Sequence, residues 1–272
     1  MGWIVRRTLE DLGVATPRPP NLRLRRLVKI GVSVAVVAVV VSVLVVHFTP
    51  HSSIQHYLAR YGADPAFAGY FIPASNVRSA SATWIQPNYT GVCGAASLTE
   101  AAFWTGIDGF ASSTVEQIGT QLDCRDGTIS SFAWYEYYPA NWINITSLQI
   151  YPGDKIQASV SYSDGNFTLR LQDVTQDTSF ENVSKDAGAN RTSAEWFVEA
   201  PAEGNVNLTD FGHLPFLECS ATIGGDTGVP DSFQNLEGSN MTNLNGSTIR
   251  ATVSLVDSSN GGFTVRWLNG TL

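Results

Sequence analysis

A chain of 272 residues that is 43% hydrophobic, 15% charged and of formal net charge −8 has material for a folded core but lacks the basic face a nucleic-acid binder needs. With 11% aromatic residues it is not a disordered chain. The charge is split: residues 1–48 hold seven of the 16 Lys and Arg and two acids, whereas residues 49–272 hold nine basic and 22 acidic residues, net −13.

The basic front (residues 1–29) ends in Arg23, Arg25, Arg26 and Lys29, directly before the apolar run IGVSVAVVAVVVSVLVVHF at residues 30–48. At about 1.5 Å per residue this run spans about 28 Å, close to the hydrocarbon thickness of a bilayer. In lipid the backbone must satisfy its own hydrogen bonds, which overrides the poor helix propensity of Val. The positive-inside rule then places residues 1–29 in the cytoplasm and the remainder outside the cell. An uncleaved signal anchor is expected rather than a signal peptide, because the run is long and HFTPHSS offers no small-x-small cleavage site. Nine sequons, at Asn88, Asn144, Asn166, Asn182, Asn190, Asn207, Asn240, Asn245 and Asn269, suit a glycosylated outer region. Cys93, Cys124 and Cys219 allow one disulfide with one thiol left over, and their spacing matches no zinc site; which two pair is open.

Residues 49–65 read as a juxtamembrane linker with a short helix, Ile54, Tyr57, Leu58 and Tyr61 sharing a face and Gly62 ending it. From residue 66 to 272 the pattern is all-β: runs at 145–150, 156–162, 167–171, 194–198, 248–256 and 262–268 are separated by turn residues. Ser163-Asp164-Gly165-Asn166 is a strong hairpin signal. Such spacing predicts a single sandwich of two large antiparallel sheets, and residues 223–247, poor in alternation, read as a long loop.

The chain holds no GxSxG, HExxH, CxxC, Walker loop or GxGxxG, and its four His do not cluster away from the apolar run. No metal or cofactor is expected, and carboxylates, amides and aromatics remain as the chemical groups. They concentrate in FWTGIDG (103–109), FAWYEYYP (132–139) and SAEWFVEAP (193–201). Alternation puts Trp104 with Asp108, Trp134 with Glu136 and Tyr138, and Glu195 with Phe197 and Glu199. An acid facing aromatics belongs in a cleft or on a solvated face.

WTGIDG, then VEQIG (115–119), AWYEYYP, NITSLQIYPGD (144–154) and AEWFVE (194–199) follow one another in an order and spacing that resemble the glutamic peptidase (eqolisin) family over about residues 66–222. The resemblance implies a β-sandwich with a cleft on one face and a catalytic pair at Gln117 and Glu199. Glu199 would act as general base and then acid on a water, and Gln117 would stabilise the oxyanion. Phe67, Trp104, Asp108, Glu136 and Tyr138 stand at its cleft-lining positions. The chain departs from the family pattern at Phe67 (usually Trp), Gln121 (usually Asp) and Phe132 (usually Asp). The resemblance implies peptide substrates as partners; the apolar run at 30–48 adds a bilayer, and the catalytic domain is expected to be monomeric. An acid optimum follows if burial leaves Glu199 near the usual value of about 4.3. Two rivals are a carbohydrate-binding or adhesive sandwich, with Glu136 and Glu199 as an acid pair, and an aspartic peptidase built on Asp226-Thr227-Gly228.

Overall fold

A computed structural model describes residues 61–185 and 188–272. The basic front, the apolar run at 30–48 and most of the expected linker helix lie outside the described residues. Among the described residues no helix is long and apolar enough to cross a membrane.

Among the described residues seventeen strands follow one another: β1 (Tyr61–Asp64), β2 (Phe67–Pro73), β3 (Val77–Ile85), β4 (Leu98–Asp108), β5 (Val115–Arg125), β6 (Thr128–Tyr138), β7 (Ile143–Gln149), β8 (Lys155–Ser163) and β9 (Asn166–Asp173). After these come β10 (Thr178–Ser184), β11 (Ser193–Glu199), β12 (Asn207–Leu208), β13 (His213–Ile223), β14 (Asp226–Gly228), β15 (Glu237–Thr242), β16 (Ile249–Val253) and β17 (Phe263–Trp267). The fold is all-β, as the alternation predicts.

The strands pair in two long ladders. One runs β1-β15-β2-β11-β4-β5-β6-β7. The other runs β16-β17-β13-β3-β8-β9-β10, and the two are continuous through β15–β16. Pairing is antiparallel except for β1–β15 and β12–β4. The hairpins are set by their turns: Asp164 (φ 51°) and Gly165 (φ 80°) join β8 to β9, and Asp126 (φ 51°) and Gly127 (φ 79°) join β5 to β6. Two successive positive φ values match the right-handed twist of the flanking strands.

β3, β8 and β9 face β4, β5 and β11 across the core. Ile156, Ala158 and Val160 of β8 and Phe167, Leu169 and Leu171 of β9 alternate inward. Each large apolar side chain buried there contributes about 1.5–3 kcal/mol. Two indoles tie the layers together with directed bonds: Trp84 Nε1 donates to Thr120 Oγ1 at 3.1 Å and Trp196 Nε1 to the Ser81 carbonyl at 2.8 Å. β11 lies between β2 and β4 and is buried on both faces, so its second face packs against a separate aromatic cluster. Arg250, fully buried, donates to the carbonyls of Pro65, Gly204, Val206 and Gly270.

Two expectations change. Tyr61 and Gly62, read as the end of a linker helix, lie in β1, so β-structure begins ahead of residue 66. Residues 223–247 are not one long loop: they hold β14, a 3-10 turn at Pro230–Ser232 and β15. The sequence of β15, EGSNMT, carries no apolar alternation. Its place is set by backbone pairing to β1, β2 and β16, which satisfies main-chain groups whatever the side chains are. Cys93 pairs with Cys124, stapling the segment before β4 to β5, and Cys219 is a buried free thiol.

Candidate active site

Cross-strand register builds the site. Glu195, Gly106, Gln117 and Glu136 stand opposite one another on β11, β4, β5 and β6. Two residues along come Phe197, Trp104, Gly119 and Trp134, and two further Glu199, Ala102, Gln121 and Phe132. Because side chains alternate with period two, all three rows point to the same face of the sheet. Gly119 keeps the middle row open: a Cβ there would stand 2.1 Å from the Phe103 carbonyl oxygen and 2.7 Å from Trp104 Cβ.

Gln117 and Glu199 both line a cavity of about 310 Å³ on this face. Each is held from behind by a buried partner. Trp104 Nε1 donates to Glu199 Oε2 at 2.9 Å, and Gln117 Nε2 donates to Glu136 Oε2 at 2.6 Å. Trp104 is fixed in turn by Phe67, edge-on at 6.2 Å, and by Phe197 at 5.4 Å. Gln117 is 6% exposed, and its Oε1 has no hydrogen-bond partner.

The expected cleft residues therefore divide. Phe67, Trp104 and Glu136 support the pair from the second row of contacts. Asp108 does something else: its carboxylate is buried and accepts from the backbone N–H groups of Asn190, Arg191 and Thr192, from Thr192 Oγ1 and from Thr114 Oγ1. It pins the segment that leads into β11. Glu195 likewise accepts from Ser193 Oγ and Phe110 N at 2.6 and 3.0 Å. Tyr138, half-buried at the end of β6 opposite Val115, does not line the cavity. The cavity also takes in Glu100, Asp123 and Trp142, which the motifs do not mark. Continuing the alternation from Gln117 finds Asp123, and the register then gives Glu100; nothing local marks Trp142. Asp226 is exposed in a three-residue strand and does not line this cavity.

Electrostatics change the expectation for Glu199. Burial, followed by the charge of Glu136, pushes its carboxyl up to about 7, against the opposing pull of the Trp104 N–H. Burial likewise pushes Glu136 up to about 7, with the Gln117 amide pulling the other way. The condition for a strongly acid optimum, an unshifted Glu199, is not met. Asp123 is pushed to about 6, and Asp64 and Asp173 are also raised, all chiefly by burial.

These shifts fix a stability trend. A carboxyl whose folded value lies above its unfolded value of about 4 lets the folded state hold the extra proton. The stabilisation is complete below about pH 4 and is lost as pH rises through the folded values near 6 and 7. Thermal unfolding of the domain should therefore fall by about 5 °C or more between pH 4.5 and 7.5. A melting temperature that is flat or rising across this window contradicts the assignment.

One wall of the cavity in this all-β domain thus carries a braced amide and a braced carboxyl. The chain belongs to the Peptidase A4 family, whose pattern matches residues 65–267. It is 37% identical to aspergillopepsin-2 of Aspergillus niger over 140 residues, 48% of this chain and 49% of that protein, and so spans about half the length of that relative. It is 32% identical to scytalidopepsin B of Scytalidium lignicola over 183 residues, 62% of this chain and 67% of that protein. Among solved structures, aspergilloglutamic peptidase from A. niger aligns at a TM-score of 0.55 and 26% identity, covering 62% of this chain and 99% of that one. Scytalido-glutamic peptidase with a transition-state analogue aligns at 0.62 and 23%, covering 75% and 98%, which speaks to the fold.

Proposed function

We propose that the protein is a membrane-anchored endopeptidase that hydrolyses peptide bonds with Gln117 and Glu199, its activity rising from acid toward neutral pH as Glu199 ionises. The observation that carries this reading is that the two side chains open onto one cavity, each braced by a buried partner. Glu199 as carboxylate takes a proton from a water, whose oxygen bonds to the scissile carbonyl carbon while the carbonyl electron pair moves onto oxygen. A Gln117 amide N–H holds that oxyanion. An amide nitrogen has two N–H donors, so one can serve Glu136 while the other meets the substrate. Collapse breaks the C–N bond, and the proton on Glu199 passes to the leaving amine. Phe67 and Trp104 set the position of Glu199, and Glu136 sets that of Gln117. The two ladders are read as the two sheets of a sandwich with the cleft on the outer face of one.

An outer location accords with the basic residues before the apolar run at 30–48. The Cys93–Cys124 disulfide suits an oxidising space. None of the nine sequon asparagines is buried, which accords with a glycosylated outer region. The domain is read as a monomer that needs no cofactor.

The test is digestion of a denatured protein by the full chain from pH 2 to 8, with and without pepstatin. Cleavage that rises above pH 4 and ignores pepstatin is expected. Inhibition by pepstatin would return Asp226 to the argument, and glycan binding without proteolysis would favour a lectin-like module. Retention in membranes through an alkaline carbonate wash is expected of the anchored chain; release refutes the anchor.

A further inference from the structure

Asp64 is the last residue of β1 and stands behind the cavity, not among its lining residues. Its Oδ1 accepts from the backbone N–H groups of Ala66 at 2.7 Å and Phe67 at 3.2 Å, closing an Asx turn into β2. Both residues it holds bear on Glu199. Phe67 stands opposite Glu199 in the β2–β11 pair and packs edge-on against Trp104, whose indole holds the Glu199 carboxyl. The Ala66 carbonyl accepts from the N–H of Ala200, the residue after Glu199, at 2.8 Å. One side chain thus secures the general base twice, through its backbone and through its aromatic brace.

The turn itself needs only an acceptor oxygen, which the amide of Asn would supply as well. What a carboxylate adds is charge. At the half-buried Asp64 that charge is costly, since burial raises its carboxyl above the usual value against the pull of the two N–H groups. The charge is felt at Glu199: after burial and Glu136, Asp64 is the third cause that pushes the Glu199 carboxyl up. Gln121 and Phe132, in the row of Glu199, are neutral where the family pattern carries Asp. Glu100 of β4 and Asp123 of β5, at the far end of the cavity, have Arg125 beside them. Arg250 turns its guanidinium to the Pro65 carbonyl and to those of Gly204, Val206 and Gly270.

We propose that Asp64 is a positioning residue for Glu199, holding the turn that seats it and supplying a negative charge from behind the cavity. The proposal rests on the peptidase reading above. A charge that favours the protonated carboxyl makes Glu199 a stronger base toward the attacking water and sets the pH at which it ionises.

Asp64→Asn keeps the acceptor and removes the charge. Measured on the full chain with a fluorogenic peptide, it should move the acid limb of kcat/KM down by about half a pH unit or more, the effect of one screened like charge. On that limb the shift reads as about a threefold gain over wild type, each activity taken relative to its own plateau. A merely damaged site gives no such gain. Asp64→Glu keeps the charge but misplaces the acceptor, so it should lower the plateau and leave the limb in place. Asp64→Ser makes the same uncharged turn and stands in if D64N folds poorly. A limb that D64N leaves unmoved, or that D64E moves as far as D64N does, overturns the role. If wild type cleaves no peptide at any pH, the peptidase reading has failed, and melting alone still decides whether Asp64 acts on Glu199. Glu199→Gln should then raise the melting temperature at pH 7.5 less in a D64N background than in wild type, and an equal rise overturns the link.

Discussion

Glu199→Gln is expected to lower kcat/KM at least about a thousandfold while leaving the domain folded. The loss combines general acid–base catalysis, worth about 10²–10⁴, with the loss of the negative charge that draws the proton from water. The amide keeps the shape of the carboxyl and can still accept from Trp104 Nε1, so the aromatic cluster around Phe67 and Phe197 has no reason to repack. A second readout separates a chemical role from a structural one. Ionised Glu199 is penalised by burial and by Glu136, so a neutral amide removes that cost. E199Q should therefore melt higher than wild type at pH 7.5, and the gap should close below about pH 4, where Glu199 is protonated in both states. Gln117→Ala should cost about 10²–10³, mostly in kcat, because an oxyanion donor acts on charge that appears only in the transition state. Wild-type-like cleavage by either variant refutes the pair. The pH profile bears on the same point. As general base, Glu199 needs to be ionised, so the acidic limb of kcat/KM should lie well above the value of an ordinary glutamate. A maximum near pH 3 would mean that Glu199 enters the cycle protonated.

Arg250→Met is expected to destabilise the domain by about 3–5 kcal/mol, the range found when one member of a buried charged network is removed. Its guanidinium, buried completely, meets four carbonyls, one from the turn before β2, two from the segment after β11 and one near the C-terminus. Methionine fills similar space but leaves the carbonyls of Pro65, Gly204 and Val206 without this donor, while Gly270 keeps the Leu208 N–H at 2.8 Å, and each buried orphan costs about 1–3 kcal/mol before relaxation. Lysine, with three donors on one point charge, should recover only part of the loss, because a planar fork is what reaches separated acceptors. Urea unfolding measures the difference, and a change under about 0.5 kcal/mol would show that water takes over the carbonyls. The segment at 204–206 follows directly from Glu199 and Pro201 at the cavity rim. A loosened cage should therefore also raise KM for peptides before it unfolds the domain.

The parts of this architecture that could be read from the chain share one property: the information lies within a few residues. Asp164-Gly165 announces the β8–β9 hairpin because positive φ is a local requirement, and the same signal at Asp126-Gly127 closes β5 onto β6. Inward alternation in β8 and β9 follows from period two. Strand β15 could not be read this way. Its polar residues carry no pattern, and it is a strand because β1, β2 and β16 supply partners from far along the chain.

The site shows the same boundary residue by residue. Alternation alone puts Glu195 and Glu199 on one face of β11, and nothing local tells them apart. Glu195 is captured by Ser193 and the Phe110 backbone, whereas Glu199 reaches the cavity and Trp104, 95 positions away in the chain. Asp108, marked by its motif as a cleft residue, is claimed by the backbone of residues 190–192.

By itself, the sequence determined which side chains share a face, where the tight turns fall, that acids and aromatics gather in three strands, and that the charge divides between a basic front and an acidic domain. Only the tertiary structure decided which of those acids faces a cavity, how far its proton affinity moves and that Cys93 rather than Cys219 meets Cys124. The reason is that direction is a property of the local backbone. Desolvation, hydrogen-bond partners and charge neighbours are set by strands that come together from distant parts of the chain.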